Sequence, residues 1–93
     1  MAVYSITYDL KKDKDYDRLE RGVDQVSGSD WVKPTLSQYI IWSSYSAVEI
    51  RKALEHYIDN DDILLIVEID TRNWAAQLLP AHISSRIIAT NTL

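Results

Sequence analysis

Asp9 is the residue of this sequence best placed to do chemistry, because it is a single carboxylate at the end of an apolar, β-prone segment. The cations that follow it, interleaved with acids, are Lys11, Lys12, Lys14 and Arg18. A carboxylate fixed at a strand end can bind a metal ion or act in catalysis. Aspartate also disfavours strands and favours turns, so Asp9 as an ordinary strand end stays open as the alternative.

Other groups with catalytic or ligating potential are poorly supported by their surroundings. The acidic run 59–62 lacks the glycine and the distal glutamate of a calcium loop. His56 and His82 have no recognisable partners, and with only Gly22 and Gly28 there is no glycine-rich phosphate loop. The chain has no cysteine, which excludes thiolate catalysis and sulfur-ligated metals.

The composition indicates one ordered domain. The 93 residues are 46% hydrophobic and include only two glycines and two prolines. A net charge of -4 argues against a general nucleic-acid coat, although a local basic stripe remains compatible with it. The longest apolar run, 63–67, is too short to span a bilayer, and the N-terminus does not resemble a signal peptide. We therefore expect a soluble, cytoplasmic protein without a membrane segment.

A first helix is predicted after the charged segment. Asp13 or Asp15 suits its N-cap, because an aspartate there accepts a backbone N–H that has no partner within the helix. Gly28 suits the left-handed residue that ends a helix. The apolar stripe at helical spacing consists of Tyr16, Leu19, Val23 and Val26.

Two β-prone segments, 31–33 and 37–44, follow. A turn that begins at Pro34 joins them as two strands, and one long bent strand is the alternative. Ser46 and Glu49 then fit a capping box at the start of a second helix.

The last third of the sequence begins with the strongest strand signal. Residues 63–70 start with an uninterrupted apolar run, which predicts a strand buried on both faces. A turn and a short helical piece interrupted by Pro80 are expected next. The tail 81–93 fits either a helix or an edge strand.

This order of elements predicts an α+β fold, a ferredoxin-like βαββαβ two-layer sandwich with two helices on one face of an antiparallel sheet. Residues 1–80 form the single domain, and residues 81–93 form a tail of undetermined structure. With the first strand central, parallel to the third and antiparallel to the last, Asp9 is expected beside Ser43, Ser44 and the start of the last strand at Asp61 and Asp62.

Alternation along the first strand assigns its two faces. If Tyr4, Ile6 and Tyr8 face the helices, Asp9 lies on the open face. Apolar side chains of the last strand also remain on that face, whichever set points inward. A second copy of the chain is the simplest cover for them. The sequence therefore predicts a homodimer with two Asp9 carboxylates near its two-fold axis.

The segment Val3–Leu10, with the charged segment and helix that follow it, resembles the start of the small CRISPR-associated adaptation nuclease family. This family is the second protein of the spacer-integration complex, and virulence-associated protein D is its relative. The resemblance covers about residues 2–70 and includes the strand 38–42. It implies a ferredoxin-like dimer in which Asp9 binds Mg²⁺, Tyr8 flanks the metal and Arg18 contacts phosphate.

Two classes of function follow from these observations. In the first, the protein is a metal-dependent endoribonuclease or endonuclease, in which Asp9 and its symmetry mate hold Mg²⁺ and the cations Lys11, Lys12, Lys14 and Arg18 hold an RNA or DNA backbone. In the second, it is a non-catalytic interaction module that binds a partner protein through its sheet face and through aromatic residues such as Trp31 and Trp74. A small-ligand-binding protein is a third, less specific possibility.

Overall fold

The computed structural model of the chain describes residues 1–11 and 16–91. Within these residues the chain forms four strands and three α-helices. They are β1 (Ala2–Asp9), α1 (Tyr16–Ser27), β2 (Trp31–Thr35), β3 (Gln38–Ser43), α2 (Ala47–Leu54), β4 (Ile63–Glu68) and α3 (Ala81–Asn91). The sheet has the strand order β2-β3-β1-β4, and each neighbouring pair is antiparallel. The predicted α+β class with an antiparallel sheet is confirmed.

Strand β1 is antiparallel to both of its neighbours, so the prediction that it is parallel to the third strand is wrong. Ala2 pairs with Ser43, which places Ser43 and Ser44 at the end of β1 opposite to Asp9. Because the chain returns through α1, β2 runs in the same direction as β1. The tight turn between β2 and β3 then reverses the chain, so that β3 is antiparallel to β1. Asp9 instead pairs with Ile63, so its predicted position at the start of the last strand is confirmed.

Local sequence signals are confirmed where the structure describes them. Gly28 has φ +62°, the left-handed conformation expected at the end of α1. The Glu49 amide donates to Ser46 Oγ at 3.1 Å and the Ser46 amide donates to Glu49 Oε1 at 2.9 Å, which completes the capping box of α2. The proposed N-caps of the first helix, Asp13 and Asp15, lie outside the described residues.

The main core lies between one face of the sheet and helices α1 and α2. Tyr4, Ile6 and Tyr8 of β1 are buried there, which confirms the predicted faces of the strand. Their neighbours on the two helices are Leu19, Val23, Val26, Ile50 and Leu54. A short 3-10 turn, Glu55–Tyr57, extends α2 against α1.

Helix α3 covers part of the opposite face. Ile83 and Ile87, four residues apart on the helix, pack against Val3, Ile40 and Trp42. The tail that was ambiguous in sequence is therefore a helix over residues 81–91, and less of this face is open than the sequence predicted. In the connection 71–80, the Asn73 amide closes a turn on Asp70 O, but the expected short helical piece does not form.

Strand β4 lies at the edge of the sheet, and the prediction that it is buried on both faces is wrong. Ile63, Leu65 and Val67 are 53%, 58% and 50% exposed. They lie on the face that α3 covers only in part, on the side that this helix leaves open, while Leu64 and Ile66 are half-buried under α1 and α2. Among residues 1–11 and 16–91, no helix has the length and apolar character needed to cross a membrane.

Candidate functional site

Asp9 lies at the exposed end of β1, where it forms a close ion pair. Lys11 Nζ is 2.8 Å from Asp9 Oδ2, and the side chains are 44% and 64% exposed respectively. The Lys11 backbone amide donates to Asp62 Oδ1 at 2.8 Å. The hydrogen bond and charge of Asp9, aided by Asp61 and Asp62, raise the pKa of Lys11 above its ordinary value. Asp9, Lys11 and Asp62 are thus brought together at one end of the sheet.

The acidic loop before β4 continues this cluster. One carboxylate oxygen each of Asp59, Asp61 and Asp62 lies within 4.8 Å of the others. Asp62 Oδ2 also accepts the Asp59 amide at 2.9 Å, a contact that helps to shape the loop. Exposed acidic groups are common on proteins that bind no ion, so the loop by itself does not define a metal centre.

Arg18, the predicted phosphate contact, ties α1 to this loop. Its Nη2 donates to the His56 carbonyl oxygen at 2.9 Å, and its Nη1 lies 3.8 Å from Asp59 Oδ1. Two of the other predicted nucleic-acid contacts, Lys12 and Lys14, lie outside the described residues. The two predicted nucleic-acid contacts that the structure describes, Lys11 and Arg18, therefore both contact acids of the protein itself.

Tyr8 lies on the opposite face of the sheet from Asp9 and does not join the acidic cluster. Its ring is buried and stacks on Tyr39 with the centroids 5.4 Å apart. Its hydroxyl donates to Leu36 O at 2.9 Å and accepts from Lys33 Nζ. The Lys33 ammonium also lies 4.9 Å and 4.8 Å from the centroids of the Tyr8 and Tyr39 rings. Burial, together with the neighbouring Tyr8, raises the pKa of Tyr39 above its ordinary value.

Both tryptophans suggested as interaction anchors are half-buried. Trp31 Nε1 donates to Asp24 Oδ1 at 2.6 Å, and its ring meets Tyr39 edge-on at 5.1 Å. Trp74 packs against the smaller core under α3. These contacts place both rings at the margins of the cores.

The exposed apolar surface of β4 confirms the prediction that apolar side chains of the last strand remain on the open face of the sheet. We call it the β4 edge surface and define it by Ile63, Leu65, Val67 and the outer backbone edge of β4. No strand of the described chain pairs with this outer edge. The alternation of residues 63, 65 and 67 predicted these side chains, but the exposed edge beside them was not predicted, because the run 63–67 was interpreted as a strand buried on both faces.

Two cavities follow the same edge on its helix side. One of about 240 Å³ is lined by Ala47, Val48 and Leu64–Ile66. The other, of about 460 Å³, extends from Leu64 to the acidic loop and includes Glu55, Asp59 and Asp62. Arg51 of α2 lines both cavities, so together they form a groove between α2 and the edge of β4.

Comparison of this chain with protein-family models, with curated proteins and with solved structures finds no match in any of the three.

Proposed function

We propose that this chain is a non-catalytic protein-interaction module with a ferredoxin-like arrangement, in which the β4 edge surface binds the partner. The observation that supports this proposal is a row of three half-exposed apolar side chains on an edge strand, Ile63, Leu65 and Val67. The strand order 2-3-1-4, with α1 and α2 on one face, supports the ferredoxin-like assignment.

An apolar edge strand is unusual for a domain that acts alone. Natural sheets protect such edges with charged side chains, prolines or covering elements, because the exposed N–H and C=O groups recruit other chains. Here α3 covers Val3, Ile40 and Trp42 on the same face but leaves the β4 side open. The exposed apolar side chains beside this strand edge therefore support the proposal that the partner binds there.

Changing Leu65 to aspartate is expected to abolish binding of a stoichiometric partner, because it places a charge at the centre of the apolar row. The measurement is a pull-down from lysate of the source organism, followed by titration of the identified partner in purified form. Leu36→Asp is the matched control, since Leu36 is 93% exposed at the β2–β3 turn. Equal partner binding by the wild type and by Leu65→Asp contradicts the proposal.

A metal-dependent endoribonuclease or endonuclease is the second candidate function. The observation that favours it is the meeting of Asp9, Lys11 and Asp62, because carboxylate oxygens suit Mg²⁺ and a lysine suits phosphate. In this proposal a homodimer pairs the two Asp9 carboxylates, and Mg²⁺ offsets the repulsion between them. The metal supplies water activation, while Lys11 and Arg18 hold the RNA or DNA backbone. A cytoplasmic location fits both candidate functions.

If Asp9 binds Mg²⁺, the metal raises the melting temperature of the wild type and not that of Asp9→Asn. Asp70→Asn is the matched control: Asp70 is also exposed and paired with a cation, Arg72 Nε at 3.2 Å, but lies at the other end of the sheet. Cleavage of short RNA and DNA by the same variants is the second readout. A magnesium-dependent shift that persists in Asp9→Asn removes Asp9 as the ligand.

A further inference from the structure

We propose that the β4 edge surface binds an extended partner segment as a fifth strand, and that this segment is apolar in its centre and basic at its ends. The inference rests on the proposed interaction function and specifies how the partner is held. Three observations carry it: the direction of the β4 backbone groups, the groove beside them and the charges at the two ends of the strand.

Hydrogen bonds around β1 show which β4 groups point outward. The Ile69 amide donates to Val3 O at 2.8 Å, and the Tyr8 amide donates to Ser37 O at 3.1 Å. The backbone N–H and C=O groups of odd-numbered β1 residues therefore form hydrogen bonds with β4, and those of even-numbered residues form hydrogen bonds with β3. In the β1–β4 ladder, Ser5, Thr7 and Asp9 pair with Val67, Leu65 and Ile63, so the odd-numbered residues of β4 form hydrogen bonds with β1. The N–H and C=O groups that point away from β1 therefore belong to Leu64, Ile66 and Glu68.

Apolar side chains flank these outward groups on both faces of the sheet. On the open face they belong to Ile63, Leu65 and Val67, each half or more exposed. On the helix face the 240 Å³ cavity places Ala47 and Val48 beside Leu64 and Ile66. An added strand directs alternate side chains to the two faces, so the central residues of the partner segment contact apolar groups on both.

Acids predominate at both ends of β4. Asp59, Asp61 and Asp62 precede the strand, and Glu68 and Asp70 end it. Of the described bases, Lys11 and Arg18 contact the acids at the first end, which also include Asp9, and Arg72 contacts Asp70 at the second, so the acids outnumber these bases at both ends. The potential at each end is therefore negative, which favours lysine or arginine at the ends of the bound segment.

A second copy of the chain fits this edge less well. Two-fold pairing of β4 with itself, centred on Leu65 to match the apolar side chains, sets Asp62 opposite Glu68 of the second copy. Like charges directly opposite on neighbouring strands are destabilising. Three half-exposed side chains also form a smaller surface than the roughly 800 Å² per partner of a standard interface. A segment of a different protein is therefore the occupant we infer.

The test uses the full chain and two capped ten-residue peptides with alternating valine and threonine in the centre. One peptide carries two lysines at each end, and the other carries glutamates instead. We expect the lysine peptide to bind at least about tenfold more tightly, which corresponds to a few exposed ion pairs. Amide hydrogen exchange followed by NMR should show new protection at Leu64, Ile66 and Glu68 on binding, while the amides of Ile63, Leu65 and Val67 are protected already.

Ile66→Pro provides a backbone test, with Ile66→Val as the matched control. Proline removes an outward N–H but leaves the β1–β4 ladder intact, since that amide does not face β1. Unchanged amide shifts in α1 and α3 show that the variant is folded. We expect Ile66→Pro to bind the lysine peptide at least about tenfold more weakly than Ile66→Val does, through loss of a central strand-edge hydrogen bond.

Several outcomes overturn the inference. The first is that the lysine peptide at millimolar concentration leaves the amide shifts of β4 unchanged. The second is that both peptides bind equally tightly. The third is that a peptide binds without protecting the amides of Leu64, Ile66 and Glu68 from exchange. If these amides become more protected as the protein concentration rises in the absence of peptide, the occupant of the edge is a second copy of the chain and not a segment of another protein. If a purified partner binds in a Leu65-dependent way without this protection, the interaction function stands and strand addition fails. If no partner binds, the interaction function fails.

Discussion

Replacing Trp42 with alanine is expected to lower the free energy of unfolding by about 3–5 kcal/mol, as for other buried tryptophans. Trp42 is 6% exposed at the centre of the smaller core, where Ile83 and Ile87 of α3 join it. Its Nε1 donates to Thr90 Oγ1 at 2.9 Å, and the Arg86 guanidinium carbon lies 4.0 Å from the ring centroid. The indole therefore contacts both the apolar and the polar side of α3.

Urea unfolding and amide exchange are the measurements for Trp42→Ala. We expect the amides of α3 to lose protection first, because the variant removes the main contact of this helix and leaves the α1–α2 core intact. Leu78→Ala is the control, since Leu78 is 95% exposed and its truncation should leave stability unchanged. A stability loss below about 1 kcal/mol with α3 still protected contradicts this account.

Helix α3 also determines how much of the sheet is available to a partner. By covering Val3, Ile40 and Trp42 it limits the open area to the β4 side, where Leu65 lies at the centre. Its attachment also includes the ion pair of Arg86 with Asp30, which joins it to the segment before β2. The binding surface that we propose is thus defined by a helix whose structure was ambiguous in sequence.

Most of the features predicted correctly depend on residues close together in the chain. The capping box needs only Ser46 and Glu49, and the end of α1 needs only the left-handed Gly28. The faces of β1 follow from period-two alternation around Ile6. Such signals are local, so the sequence alone specifies them.

The features predicted incorrectly depend on contacts between distant residues. An apolar run such as 63–67 looks the same in a central strand and in an edge strand, because neighbours elsewhere in the chain decide its burial. Ser43 was predicted beside Asp9 because the third strand was expected to run parallel to β1. No residue near Asp9 specifies the direction of that strand. The candidate site was half predictable: Asp9 beside Asp62 follows from the β1–β4 pairing, whereas Tyr8, which the family resemblance placed beside the metal, points to the opposite face, as the alternation along β1 already required.

Changing Gly22 to alanine is expected to lower the free energy of unfolding by about 2 kcal/mol, a typical cost of overpacking. Gly22 is buried where α1 crosses the end of α2. A Cβ there would lie 2.7 Å from Tyr57 Cδ2 and Cγ and 2.9 Å from Leu54 Cδ2, closer than carbon atoms pack. Alanine is favoured over glycine within a helix by about 1 kcal/mol, so the steric cost must exceed that gain. Urea unfolding measures the difference.

A double-mutant cycle with Tyr57→Ala tests whether the ring contact is the cause. In that background the penalty of Gly22→Ala should fall by more than half, because two of the three close contacts involve the Tyr57 ring. An equal penalty in both backgrounds contradicts this explanation. The spacing of α1 from the Glu55–Tyr57 turn also positions Arg18 to contact His56 O and Asp59. Gly22→Ala should therefore disturb the acidic loop beside Asp9 as well, visible as amide shift changes at residues 59–62.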